Sequence, residues 1–142
     1  MQKLCLALLL LMFVGSATAL AQSVTGRWKT ISDENGETKS VVEIYKKGGK
    51  VYGKVVKVLD PTPEFTHCTK CPEDDDRHGE RIVGMEIIRG LEQDGDEWED
   101  GTILDPSKGK VYDCSIWREG KKLKVRGYWG LFYRTQTWLP VD

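Results

Sequence analysis

From Thr25 to Leu139 the apolar residues of this chain alternate with polar ones in short runs, and no stretch keeps a 3.6-residue apolar period over three helical turns. The chain therefore reads as all-β. Its first run is Gly26 to Ile31, closed by Asp33-Glu34-Asn35-Gly36, where Asn-Gly takes the positive φ angles of a tight hairpin. Lys39 to Lys46 follows, and Lys47-Gly48-Gly49-Lys50 turns it into Val51 to Leu59. Proline cannot donate to a ladder, so Asp60-Pro61-Thr62-Pro63 ends that strand and opens a long acidic loop through Asp74-Asp75-Asp76 to about Gly79. Arg81 to Leu91 is ambiguous between a strand, over Ile82 to Ile88, and one or two helical turns. We read it as a short mixed element. After Asp94-Gly95-Asp96, strands resume at Glu97 to Leu104, Lys110 to Arg118, Lys121 to Tyr128 and Tyr133 to Leu139, joined by hairpin-type connections.

Seven clear strands and an eighth over Ile82 to Ile88 make the number that closes a small antiparallel up-and-down barrel without open edges. A two-sheet sandwich is the alternative, but sandwiches usually need Greek-key crossings, and here the clear connections join sequence neighbours. An eight-stranded barrel either fills with side chains or holds one small ligand.

The first 21 residues read as a secretory signal. Lys3 gives a positive start, Leu4 to Val14 an apolar core, and Ala17-Thr18-Ala19 and Ala19-Leu20-Ala21 two overlapping cleavage motifs. Cleavage is expected after Ala21, leaving residues 22–142 as one barrel domain, periplasmic or secreted. The apolar run of about 11 residues is shorter than the ~20 a membrane-spanning helix needs. Losing Lys3 sets 20 basic residues against 22 acidic ones, so no strong field of one sign arises. Lys46, Lys47, Lys50, Lys54 and Lys57 are interleaved with apolar residues at strand spacing, which reads as a solvated strand face rather than a nucleic-acid footprint.

Gly26-Arg27-Trp28 matches the Gly-x-Trp signature of lipocalins. Further stretches are Lys39-Ser40-Val41-Val42-Glu43-Ile44-Tyr45, Tyr52-Gly53-Lys54-Val55-Val56, Gly101-Thr102-Ile103-Leu104-Asp105-Pro106, Gly109-Lys110-Val111-Tyr112, Val125-Arg126-Gly127-Tyr128 and Arg134-Thr135-Gln136-Thr137-Trp138. Together they resemble the exported bacterial domain-of-unknown-function family 2147, over nearly the whole mature chain. The resemblance implies a lipocalin-like barrel in a Gram-negative envelope. It also implies a structural role for Trp28, packed beneath an arginine near the last strand, Arg134 or Arg126. At this length the cavity is expected to be smaller than a lipocalin's.

His67 and His78 lie in the long loop beside Cys68 and Cys71, offering up to four nitrogen and sulfur ligands of the kind a structural zinc takes. In an oxidising compartment a Cys68–Cys71 disulfide is favoured over that metal site or free thiols, which leaves Cys114 as a buried thiol. No Gly-x-Ser-x-Gly motif accompanies the histidines, so serine-hydrolase chemistry is unsupported. Glu97, Glu99 and Asp100 beside Trp98, and Asp113 near Trp117, are candidate acid–base carboxylates, more simply read as a solvated surface. Asp74-Asp75-Asp76 lacks the spaced ligands of a calcium loop and reads as solvated.

Aromatic side chains give the strongest hint of binding. Tyr128, Trp129 and Tyr133, concentrated at one connection, are expected at a barrel end with Trp98 and Tyr112, as plugs or as contacts for an apolar ligand. Arg134 joins them as a ligand contact. Arg126 falls on the outward alternation of Lys122 and Lys124 unless a bulge at Gly127 turns it inward as an anion anchor. The expected activity is non-enzymatic binding of a small apolar or amphipathic molecule, with no cofactor. A filled structural barrel is the alternative. The oligomeric state stays open, a homodimer included.

Overall fold

The computed structural model describes residues 23–59 and 62–141, so the expected signal segment lies outside the described residues. Eight strands run in sequence order: β1 (Gly26–Ile31), β2 (Thr38–Lys47), β3 (Lys50–Val58), β4 (Glu86–Asp94), β5 (Glu97–Asp105), β6 (Lys110–Glu119), β7 (Lys122–Trp129) and β8 (Phe132–Pro140). Each pairs antiparallel with its sequence neighbours, and β8 returns to β1, closing the barrel. The closing seam is short, with Trp28 opposite Pro140 and Lys29 opposite Leu139.

One element differs from the sequence expectation. Arg81 to Met85 belongs to the long loop, and the strand begins at Glu86 and continues to Asp94. A register shift opposite Gly53 and Lys54, together with Gly90 at φ 70°, interrupts the alternation that would have marked this strand in the sequence. The only helical turn among the described residues is 3-10, at Pro63–Phe65, where proline sits in the first turn.

The interior is divided by height. Trp28, Val42, Ile44, Val51, Leu91, Trp98, Ile116, Leu123 and Trp138 are buried. Most of them cluster toward the end bounded by the short β2–β3, β4–β5 and β6–β7 turns, which we call the closed end. Two glycines permit close approach. A Cβ at Gly101 would overlap the Arg89 carbonyl oxygen, and one at Gly109 the Lys70 carbonyl oxygen. Gly109 therefore lets the β5–β6 turn touch the long loop.

Trp28 donates its indole N–H to the Val24 carbonyl at 3.0 Å. The arginine over its ring is Arg118 of β6, 5.0 Å from the centroid, and neither Arg126 nor Arg134. Trp28 lies toward the closed end, where β6 finishes, whereas Arg134 stands near the opposite end of β8. Arg118 also donates to the Ser23 carbonyl at 2.7 Å, tying the start of the barrel to the end of β6.

On the outer wall Tyr45 donates to Glu86 Oε2 at 2.7 Å. Burial, and then that bond and the Glu86 charge, push the phenol up to about 12. Burial works to raise the Glu86 carboxyl, but the Tyr45 hydrogen bond and nearby Lys47 and Arg89 outweigh it, so its net displacement is downward. Because the folded phenol titrates above its unfolded value of about 10, its contribution is complete below pH ~10 and is lost as pH rises through about 12. Of the five tyrosines, one is expected to ionise last in an ultraviolet titration. Tyr45→Phe should remove that late step and cost about 1 kcal/mol of stability.

Candidate functional site

Opposite the closed end the barrel is hollow. A cavity of about 1120 Å³ opens there, walled by Val55, Ile87, Ile103, Tyr112, Val125 and Gly127 from the strands, with Trp138 toward its floor. Phe65, Pro72 and Ile82 of the long loop complete the wall. The inner polar groups are already satisfied. Thr30 and Ser40 hydroxyls lie 2.7 Å apart, and Trp138 donates to Gln136 Oε1 at 3.1 Å. Gln136 in turn donates to Asp33 Oδ2 at 2.9 Å, and Arg134 pairs with the same carboxylate at 3.1 Å. An occupant therefore needs to bring apolar surface more than hydrogen bonds. At the mouth stand Lys39, Lys108, Lys110 and Arg134 with Asp33, Glu34 and Asp105.

The expected ligand contacts separate into three groups. Tyr112, Trp129 and Arg134 line the cavity, with the Tyr112 and Trp129 rings 5.7 Å apart. Trp98 lies toward the closed end, opposite Ile116, and belongs to the plug. Arg126, Tyr128 and Tyr133 stand on the outside. The β7 ladder runs through Gly127 with no register shift, so Arg126 keeps the face of Lys124. Its guanidinium lies 4.8 Å from the Trp117 ring and 4.4 Å from the Tyr133 ring, and its Nε donates to Thr135. Of the two arginines expected to contact a ligand, Arg134 is the one at the mouth, beside Lys39, Lys108 and Lys110. Sequence reasoning missed Phe65, Pro72 and Ile82, because nothing in a chain says which strand ends a loop will lean across. Gly127 was readable, since it continues the inward alternation of Leu123 and Val125.

The long loop holds its position through buried groups. Cys68 and Cys71 form the expected disulfide and are themselves buried. Asp75 and Asp76 are both paired, Asp75 being mostly buried where solvation was expected and Asp76 staying exposed as expected. Asp75 takes a two-pronged grip from Arg77 at 2.9 and 2.8 Å, and Asp76 a similar one from Arg89 at 2.8 and 2.9 Å. The Arg77 hydrogen bonds hold the Asp75 carboxyl well below the usual carboxylate range, against the opposing effect of burial. His78 Nδ1 contacts the Cys71 carbonyl at 2.6 Å and His67 Nδ1 the Thr66 hydroxyl at 3.0 Å. Among the described residues no three His, Cys, Asp or Glu side chains converge on one point. Cys114 is a buried free thiol whose pKa burial pushes up to about 12.

A smaller concavity of about 400 Å³ lies beside Glu99, Asp100, Asp113, Cys114, Ser115 and Tyr128. The hydrogen bond to Asp94, and then burial and neighbouring carboxylates, raise Glu99. Ser115 and Tyr128 hydroxyls already pair at 3.1 Å.

The model of a bacterial family, described as "Uncharacterized protein conserved in bacteria (DUF2147)", matches residues 26–139, from the first strand to the last. The chain belongs to the DUF2147 family. No curated protein matches it significantly in sequence. Among solved structures, this DUF2147 chain is similar to protein HP1028 from the human pathogen Helicobacter pylori, described as belonging to the lipocalin family. That similarity has a TM-score of 0.72 at 18% identity and covers 84% of each chain. At such identity the likeness concerns the fold, and DUF2147 here takes a lipocalin-like barrel.

Proposed function

We propose that this protein is an exported binding module that takes a small apolar or amphipathic molecule into the open half of its barrel, without a cofactor and without chemistry of its own. The cavity is the observation that carries the reading. At about 1120 Å³ it is slightly larger than the ~300–1,000 Å³ typical of small-molecule sites, and it is walled mainly by apolar side chains. A ligand's apolar body would contact Val55, Ile87, Ile103 and Val125, and its polar end would reach the mouth near Arg134. The fold-level likeness to a lipocalin supports the same reading by analogy. Export to the periplasm or beyond is supported by the N-terminal apolar segment and the Cys68–Cys71 disulfide, a bond that persists in oxidising compartments.

Native mass spectrometry of protein purified from its own envelope tests this directly. The expected result is an added mass that is lost on denaturation. A bare polypeptide mass, with no thermal stabilisation across a library of fatty acids, lysolipids and aromatic amphiphiles, would leave a barrel that works through its surface alone.

A further inference from the structure

We propose that the tip of the β7–β8 hairpin is a docking surface for an anionic lipid bilayer, seating the cavity mouth against the membrane. At the turn Leu131 is 99% exposed and Phe132 67% exposed, and Trp129 is half exposed beside them. These are large apolar side chains at a two-residue turn, where a soluble hairpin ordinarily carries polar ones. Trp129 stacks on Phe132 with centroids 6.2 Å apart, so the two rings form one continuous apolar surface. Val111, 41% exposed, extends the patch onto the neighbouring strand β6, whose ladder with β7 reaches Asp113 opposite Tyr128.

The surroundings select a lipid surface over a protein partner. Lys108 and Lys110 are exposed and make no ion pair among the described residues, and Arg134 lies on the adjoining strand. Two of the nearby acids are engaged, while Glu34 and Asp113 stay exposed without an ion pair among the described residues. Asp33 holds Arg134 and Gln136, and Asp105 accepts from Ser107. Exposed rings and leucine flanked by free lysines are complementary to an interface of acyl chains beneath anionic headgroups. The patch is also too small for a second copy of the chain. An aromatic side chain buries roughly 150–250 Å², so this tip offers a few hundred Å², short of the ~800 Å² per partner of a stable interface. Trp129 belongs to both the tip and the cavity wall, so a docked tip places the mouth at the headgroup layer. The docking itself does not depend on the binding reading, because a barrel with nothing in its cavity would present the same tip.

The test uses the processed chain beginning near Gln22, since the described buried apolar residues run from Val24 to Trp138 within a closed barrel. It is mixed with phosphatidylethanolamine–phosphatidylglycerol vesicles and, in parallel, with phosphatidylcholine vesicles. Co-sedimentation with the anionic vesicles and a blue shift of tryptophan emission are expected, both weakened by salt. Leu131→Glu with Phe132→Glu should reduce partitioning by about tenfold or more while leaving the circular dichroism spectrum unchanged. Lys108→Gln with Lys110→Gln should weaken only the anionic-vesicle binding. Absence of wild-type partitioning, or equal partitioning by the Glu variant, overturns the proposal. A concentration-dependent dimer that the Glu variant abolishes overturns it too, and assigns the tip to a second copy.

Discussion

Asp75→Ala is expected to cost about 3–5 kcal/mol, because it strands a guanidinium that the fold has taken out of water. The Arg77 side chain is 6% exposed and that of Asp75 13%. Besides gripping Asp75, Arg77 donates Nη1 to the Glu86 carbonyl at 2.9 Å, at the point where β4 begins. The pair thus fastens the long loop to the barrel wall, and Phe65, Pro72 and Ile82 of that loop wall the cavity. Thermal melts followed by circular dichroism should fall by on the order of 10 °C or more, with ligand retention falling alongside. A control separates a stranded charge from lost packing. Asp75→Ala combined with Arg77→Leu removes both partners, and should recover much of the loss, because a buried pair replaced by apolar groups is often nearly neutral. If the double variant is as unstable as the single one, the pair is not what holds the loop. The acid side has a definite sign. The Asp75 carboxyl titrates below its unfolded value of about 3.9, so its stabilising contribution is complete above that value and disappears as pH falls through the lower folded one.

The fold was legible because a closed barrel imposes period two on every strand that faces one core. Seven strands keep that rule over most of their length, with local irregularities at Thr30/Ile31, at Val41/Val42 and at Asp100, which takes φ 62°, and each was readable to within about two residues. The strand Glu86–Asp94 breaks it, since a bulge turns Ile87 and Ile88 to the same side and Gly90 takes a positive φ. The site was only partly legible, for a different reason. Alternation tells which face a side chain takes but not its height along the barrel axis. Trp98 and Tyr112 both face inward, yet one lies in the plug and the other at the mouth, because β5 begins at the closed end and β6 at the open end. Height also explains the arginine beside Trp28. Arg118 ends β6 where β1 begins, a proximity that appears only once eight registers have been summed around the barrel. In the long loop Asp74 and Asp76 are exposed as composition suggests, while Asp75 is mostly buried against Arg77, a burial that composition does not reveal.

Gly127→Phe is expected to abolish tight ligand binding while leaving the barrel folded. Gly127 lies on the inward face of β7 opposite Arg134, its backbone is ordinary strand, and it lines the cavity. A Cβ there meets Tyr112 Cβ at 3.5 Å and Ile103 Cγ2 at 3.9 Å, which is ordinary contact, so the substitution needs no backbone movement. The ring then occupies space that a ligand's apolar body would use. Displacing about four methylenes at ~0.8 kcal/mol each removes roughly 3 kcal/mol, or on the order of 100-fold in affinity. Titration of a copurified or library-derived amphiphile, with the melting temperature of the empty protein measured beside it, reads both halves of the prediction. Loss of affinity with an unchanged or raised empty-state melting temperature places the ligand in the barrel, because filling a cavity removes a void rather than creating one. Unchanged affinity places it elsewhere, and the hollow half of the barrel would then need another explanation than carriage. The same variant bears on the hairpin tip. Gly127 is inside and Leu131 outside, so vesicle docking should survive Gly127→Phe even where ligand binding does not.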